Sequence, residues 1–500
     1  MAKLIVWQNG ISRVIKFIAP AKLDEILIRN EIHISHPCGN RGTCGKCRLT
    51  LAGCVSEPNS MEQLAGVRLS CQAVLLGDAE VWLAEERALE QIEISAAEKQ
   101  YSKEIMTPMV GRIGAAVDIG TTTLAMKLFD LRTGECIGQS SRENPQRSVS
   151  ADVMGRIQAA LEGEGERLQQ QILTALETML TEASTKANIN PEQVDVMLIV
   201  GNTTMLYLLT GKSPVSLAYA PFKADDLYGR IDKVIGRRAY LPHCMNAYVG
   251  ADITAAVLAS GMCEKDEISL LCDIGTNGEL ALWKDETLYV SSTAAGPAFE
   301  GAGISCGCGS IMGAVDKVWV EEGSIRIHTI GEAVPVGICG SGLLDAIAAY
   351  LELGEIDETG AMDDGELLLS KKVAVQPKDV RAVQLAKAAI AAGIETMFSE
   401  ARITASDVRT LYIAGGFGSH INIESAIKIG LIPAELKDKV EVLGNAALTG
   451  AVEMLLDQRL QITARKIAGR SKHVNLGGNK VFNEQFVEEM MFSKKEERNC

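Results

Sequence analysis

A 500-residue chain that is 47% hydrophobic and 23% charged is expected to fold over most of its length, and it exceeds what one core organises, so two or three domains are expected. Its formal net charge of −15, with no basic stripe, excludes nucleic acid as a partner. No apolar run reaches the roughly 18 residues of a membrane helix, which leaves no membrane role. The opening Met1–Gln8 reads as a strand rather than a leader, and the 13 cysteines, most of them expected to be buried, fit a reducing compartment. The location expected is cytoplasmic.

In chain order, strands are expected at Lys3–Trp7 and Val14–Phe17, forming a hairpin around Gly10. A helix follows near 22–30, with further strands near Arg48–Leu51 and Val81–Leu83. Between these lie Cys38, Cys44 and Cys47 on one loop, and Cys71 in the turn Arg68-Leu69-Ser70-Cys71-Gln72 after 23 intervening residues. A [2Fe–2S] cluster needs four thiolates, two per iron, and a loop triplet plus a distant fourth supplies them. Gly39, Gly42 and Gly45 suit a loop whose N–H groups must approach sulfur. A Cys₄ zinc site would present two Cys-x₂-Cys pairs, and this chain has one pair and two single cysteines. Cys54 falls outside the pattern and is expected to be a small buried hydrophobe. The five residues between Cys38 and Cys44 and the Arg-Leu-Ser-Cys-Gln turn resemble the adrenodoxin-like branch of ferredoxins, and residues 1–88 resemble a β-grasp ferredoxin.

Residues 89–112 read as a linker. If flexible, it would span about 25–30 Å, enough for the cluster to swing between two positions.

From 113 onward the pattern changes to buried strands and amphipathic helices. Strands are expected at Ile113–Asp118, Leu124–Phe129 and Val194–Val200, with one long helix over Gln158–Ala183. The pattern restarts at Ser269–Ile274 and Glu279–Trp283, followed by a helix over Gln384–Phe398, a strand at Thr410–Ile413 and a helix over Asn445–Leu456. Two similar openings about 155 residues apart suggest an internal duplication.

Those openings carry the chemistry. Asp118 is followed by Gly120, Thr121 and Thr122, and Asp273 by Gly275, Thr276 and Asn277. Such turns can fold N–H groups and hydroxyls around a phosphate, and an Asp at the strand end can hold Mg²⁺ directly or through water. Gly415, Gly416, Phe417 and Gly418 form a third, adenosine-type loop. Gly340 and Ser341 begin a strand-to-helix turn suited to phosphate. Neither a Gly-x₄-Gly-Lys-[Ser/Thr] loop nor a dinucleotide fingerprint follows the first strand.

Together these loops resemble the superfamily of acetate kinase, sugar kinases, Hsp70 and actin (ASKHA) over about 111–465. The resemblance implies a duplicated RNase H-like fold behind the ferredoxin, α/β and α+β in class. The domains expected are 1–88, a linker over 89–112, ATPase subdomains over 113–265 and 266–465, and a C-terminal extension over 466–500 with a polar tail ending in Cys500. Asn144-Pro145-Gln146, the segment from Ser150 to Ile157, Val200–Met205, Gly250-Ala251-Asp252-Ile253 and Gly296–Gly301 narrow the likeness to reductive activators of corrinoid-dependent methyltransferases. That resemblance implies ATP, Mg²⁺ and a [2Fe–2S] cluster as cofactors, and a corrinoid protein in its cob(II)alamin form and a low-potential electron donor as partners. It leaves a homodimer open. The competing readings are a redox-sensing adaptor and a small-molecule kinase, the latter lacking an identifiable catalytic base. Cys306, Cys308 and Cys339 are expected to be buried thiols, and His420 either a nucleotide or partner contact or a structural imidazole.

Overall fold

The computed structural model describes residues 1–8, 11–30, 32, 34, 47–59, 62, 63, 68–83, 107–363 and 365–492. The N-terminal unit contains β1 (Ala2–Gln8), β2 (Ile11–Phe17), β3 (Ala21–Lys22), β4 (Arg48–Val55), β5 (Arg68–Leu69) and β6 (Val74–Trp82). They lie in the order β2-β1-β6-β4-β5, with β3 beside β6. The pairing of β1 with β6 is parallel, and the other pairs are antiparallel. Period-two alternation turns Leu4, Val6, Ile15, Phe17, Leu75 and Val81 onto one face, where Leu23, Ile26 and Leu27 of helix Leu23–Arg29 cover them. Each such burial contributes roughly 1.5–3 kcal/mol. This is the ferredoxin-like arrangement expected. The last strand, expected from Val81, begins at Val74, because Gly77-Asp78 interrupts the apolar run without ending the ladder.

Two further sheets repeat one topology. In the first lobe β7 (Ile113–Ile119), β8 (Thr123–Asp130), β9 (Glu135–Glu143), β10 (Val194–Gly201), β11 (Arg230–Val234) and β12 (Arg237–Leu241) take the order β11-β12-β10-β7-β8-β9. In the second lobe β13 (Ser269–Ile274), β14 (Gly278–Lys284) and β15 (Thr287–Thr293) are followed by two small pieces. These are β16 (Ala314–Glu321), β17 (Ser324–Thr329) and β18 (Gly337–Ile338), then the hairpin of β19 (Leu367–Leu368) and β20 (Ala374–Val375). The main sheet is completed by β21 (Thr410–Ala414), β22 (Val440–Gly444) and β23 (Ser471–His473), in the order β22-β21-β13-β14-β15-β23. β7 and β13 occupy the same place. Each runs antiparallel to the strand that follows it and parallel to a later one, β10 or β21. The duplication is therefore structural. β10 is buried at every residue except Asp195, as a strand covered on both faces should be.

Helix Ala446–Leu456 is buried along its whole length. It lies between the lobes, sharing one core with Ala255 and Val257 of helix Ala251–Ser260 and with Leu271 and Tyr412 of the second sheet. A side chain at Gly450 would collide with the Ala255 carbonyl, so glycine sets how closely these two helices approach.

Several expectations need correction. The single helix over 158–183 is instead Val153–Ala159, a π-type turn Ala160–Glu164 and Gly165–Lys186. The break falls at Gly163, whose φ of 103° no helix accommodates. Cys54 is exposed on β4, not buried. Of the described cysteines only Cys47, Cys71, Cys244, Cys272 and Cys339 are buried, while Cys306 and Cys308 are half-buried. Past residue 465 the chain does not leave the lobe: β23 pairs with β15, and helix Lys480–Glu488 packs on helix Pro377–Ala401. There the buried ammonium of Lys387 donates to the Met491 carbonyl at 2.6 Å. Residues 107–109 are held too, since the Thr107 and Pro108 carbonyls accept from Gln458. Residues 84–106, including most of the linker, and the tail 493–500 lie outside the described residues.

Candidate functional site

The two Asp-Gly-Thr turns meet. Asp118 and Asp273 sit at corresponding ends of β7 and β13, paired in register with Val200 and Ala414 respectively. The hydroxyls of Thr122 and Thr276 lie 2.9 Å apart across the cleft between the lobes. Both also reach one carboxylate oxygen, Oε2 of Glu300, at 2.5 Å from Thr122 and 2.8 Å from Thr276.

The carboxylates around this point repel one another. Burial raises the Asp118 pKa to about 6, against the lowering effect of the amide that Asn445 donates to its Oδ2 at 3.0 Å. Burial, the Asp118 charge and then the Glu300 charge push Asp273 up to about 7. Burial, and then neighbouring aspartates, raise the pKa of Asp252 to about 8 and that of Glu279 well above the usual carboxylate range. Asn277 hydrogen-bonds Glu279. Among the described residues no set of three His, Cys, Asp or Glu side chains closes round a metal ion by itself.

The first turn is built from behind by the sequence stretches singled out earlier. Gly120 N–H donates to the Thr123 carbonyl, and Asn144 donates its side-chain amide to the Gly120 carbonyl at 2.9 Å. Arg156, fully buried, donates to the Thr121 carbonyl at 2.5 Å and to the Ser150 carbonyl at 3.0 Å. Desolvation and then Arg147 lower its pKa to about 9, so it remains a cation at neutral pH. Gly250, the N-cap of the helix that carries Asp252, packs where a side chain would strike Gly201 and Asn202.

The remaining loops join the same region. Gly415, at φ +92°, leaves room for Asp273: a Cβ there would lie 2.6 Å from Asp273 Oδ1. Gly416 faces open space, Gly418 packs on Ile413, and Phe417 stacks on Phe299 with centroids 5.0 Å apart and 14° between planes. Gly340 opens helix Gly340–Leu353 against Phe299 and Phe417. Ser341 turns inward, donating to the Asp316 carbonyl at 3.0 Å. His420 is exposed. Cys306 and Cys339 direct their thiols at the carbonyls of Lys372 and Val315. Asp252, Glu279, Glu300, Arg156 and Asn445 were not singled out as site residues from the sequence. A polar residue inside an apolar run marks Asp252 and Glu279, and Arg156 and Glu300 lie in stretches that narrowed the family likeness, but nothing local ties Asn445 to the site.

In the N-terminal unit Cys47 and Cys71 are buried with sulfurs 3.3 Å apart. That exceeds the about 2.05 Å of a disulfide and approaches the spacing of two thiolates on one tetrahedral metal at about 2.3 Å. Ser70 N–H donates to the Cys47 carbonyl, and Gln72 directs an amide at the Cys71 sulfur at 3.5 Å. The turn is anchored by Glu62, a buried carboxylate accepting from Leu69, Asn59 and Arg68. Burial raises its pKa, but these donors outweigh it and hold the group below its ordinary value. Cys38 and Cys44 lie outside the described residues.

A ferredoxin-like unit followed by a duplicated ATPase-type fold defines a class, and comparison narrows it. Residues 113–265 match the family model described as the RACo middle region, and 267–500 match the C-terminal domain of RACo, the ASKHA domain. The corrinoid activation enzyme RamQ of Eubacterium limosum is 34% identical over 419 residues, 76% of this chain and 70% of that protein. The [Co(II) methylated amine-specific corrinoid protein] reductase of Methanosarcina barkeri is 26% identical over 76% of this chain and 77% of its own. A solved structure, a reductive activator for a corrinoid, iron–sulfur protein, superposes with a TM-score of 0.73 at 24% identity, covering 98% of both chains. The chain belongs to the family of corrinoid reductive activators.

Proposed function

We propose that this protein reduces the cob(II)alamin form of a corrinoid protein to cob(I)alamin at the expense of ATP. Cys38, Cys44, Cys47 and Cys71 would hold a [2Fe–2S] cluster, which when bound supplies a one-electron donor near about −400 mV. The observation that carries the reading is the contact of Thr122 with Thr276 across the cleft. In this reading it joins the turns of two lobes into one phosphate clamp whose state depends on how the lobes sit.

In this reading the N–H groups of Gly120–Thr122 and Gly275–Asn277 bind the phosphates, and Asp118 and Asp273 orient Mg²⁺. Gly415–Gly418 lies along the adenosine, while Gly340 and Ser341 begin a helix whose N-terminus faces the phosphates. Arg156 and Asn144 hold the first turn in shape. Each about 59 mV of one-electron mismatch costs tenfold in equilibrium, so an uphill transfer to cobalt needs work from elsewhere. Lobe closure around nucleotide changes the surface offered to the corrinoid protein and so its affinity for each cobalt state. The electron comes from a separate low-potential donor.

The test is anaerobic reduction of a corrinoid protein in its cob(II)alamin form, followed by the cob(I)alamin absorption band. Product should form with Mg·ATP and not with Mg·ADP. Equal product with either nucleotide would refute the reading and favour the redox-adaptor alternative.

A further inference from the structure

The turn Pro297–Glu300 touches every predicted nucleotide loop. Glu300 Oε2 meets Thr122 from the first and Thr276 from the second. Phe299 stacks on Phe417 of the third, and the Phe299 carbonyl abuts Gly340 of the fourth. The turn is pinned between Gly296 and Gly301, both left-handed at φ 78° and 74°, and a Cβ at Gly301 would sit 2.6 Å from the Cys308 carbonyl oxygen. Three oxygens, those of Thr122, Thr276 and Glu300, thus lie within hydrogen-bond distance of one another, but the two hydroxyls supply only two protons. Both hydroxyls are placed to give theirs to the carboxylate.

We infer that Glu300 is a positioning residue that competes with phosphate for the Thr122 and Thr276 hydroxyls, so that nucleotide entry displaces it. This rests on the nucleotide-clamp reading above. A phosphate oxygen between the turns needs the same donors that Glu300 holds, and two anions do not share them cheaply. Displacing Glu300 moves Phe299, and through Phe299 it moves Phe417 and the start of helix Gly340–Leu353. The nucleotide's presence at the phosphates is thereby reported to the third and fourth loops by one short turn.

The test is calorimetric titration of the cluster-loaded full chain with Mg·AMP-PNP, alongside steady-state ATP hydrolysis. Glu300→Ala should bind about tenfold tighter, and Glu300→Gln, which keeps an acceptor without the charge, about threefold. KM for Mg·ATP should fall in parallel, the signature of a ground-state competitor removed. In a Thr122→Val background the gain from Glu300→Ala should shrink to at most about half. An undiminished gain there would mean simple charge removal and would overturn the proposal. Unchanged or weaker binding would overturn it too. Should Glu300→Ala not fold, Glu300→Gln, of nearly equal volume, carries the same test. Wild-type binding that is lost in Asp273→Ala but unmoved in both Glu300 variants would sink this inference alone. Absence of wild-type binding, or binding indifferent to Asp273→Ala, would sink the clamp reading and this inference with it.

Discussion

Asn445 donates its side-chain amide to Asp118 at 3.0 Å across 327 residues of sequence. The same side chain caps the helix Ala446–Leu456 by accepting from Leu448 N–H at 2.8 Å. The helix buried between the lobes is thus bonded at its first turn to the Asp118 carboxylate at the end of β7. Asp118→Ala and Asp273→Ala should each lower Mg²⁺-dependent ATP hydrolysis by roughly a hundredfold or more, and Asn445→Ala by about tenfold. All three should leave the visible spectrum of the cluster unchanged. Normal hydrolysis in both aspartate variants would refute the clamp.

Arg156 is the buried prop of the first turn. Its removal would leave the Thr121 and Ser150 carbonyls unpaired, at about 1–3 kcal/mol each. Arg156→Lys, which cannot span both carbonyls, should lower the melting temperature by a few degrees and raise KM for Mg·ATP about tenfold. Steady-state kinetics and a melt check this. An unchanged KM with a lowered melting temperature would make Arg156 structural only.

The raised carboxylates give stability a definite pH dependence. A carboxyl whose folded pKa lies above its unfolded value stabilises the fold below the unfolded value, near about 4, and loses that contribution as pH rises through the folded one. For Asp118 and Asp273 those folded values are about 6 and about 7. Without Mg²⁺ the melting temperature should therefore fall by roughly 3–6 °C between pH 6 and pH 8. Asp273→Asn should flatten this slope, and Mg·AMP-PNP should reverse it by binding the ionised carboxylates. A slope of the same size in Asp273→Asn would assign it to other groups.

The cysteine pattern predicts a brown protein carrying about two irons and two sulfides per chain when purified without air. Replacing Cys38, Cys44, Cys47 or Cys71 with Ala should abolish the cluster. Cys54→Ala should spare it, as the exposed position of Cys54 on β4 suggests. Zinc in place of iron, or a cluster lost with Cys54, would contradict this assignment.

Much of this molecule was legible residue by residue. Strand ends at Asp118 and Asp273, each followed by Gly and hydroxyl residues, are local signals, and so are Cys47 and the turn at Cys71. The repeat of these openings disclosed the duplicated fold. What escaped was long-range. Glu300 reads as one more polar residue in a Gly-Pro turn until Thr122, 178 positions away, is seen to reach it. Asn445 reads as a helix cap, and only the packing of its helix between the lobes brings it to Asp118. The break at Gly163 was hidden because apolar residues keep their helical spacing on both sides of it. Cys54 misled because a cysteine beside apolar residues is usually buried, yet alternation along β4 turns it outward.

In the proposed function, nucleotide-driven lobe movement, rather than cluster potential alone, lets the cluster's electron reach cobalt. The direct measurement follows cob(I)alamin formation by full chain, low-potential reductant and cognate cob(II)alamin protein, with the linker expected over 89–112 intact or cleaved. Product should form only with Mg·ATP, the rate should fall sharply after cleavage because the tethered concentration of the cluster is lost, and corrinoid-stimulated ATP hydrolysis by the fragment that follows should survive. Cobalt reduction at the same rate and extent without ATP would contradict it.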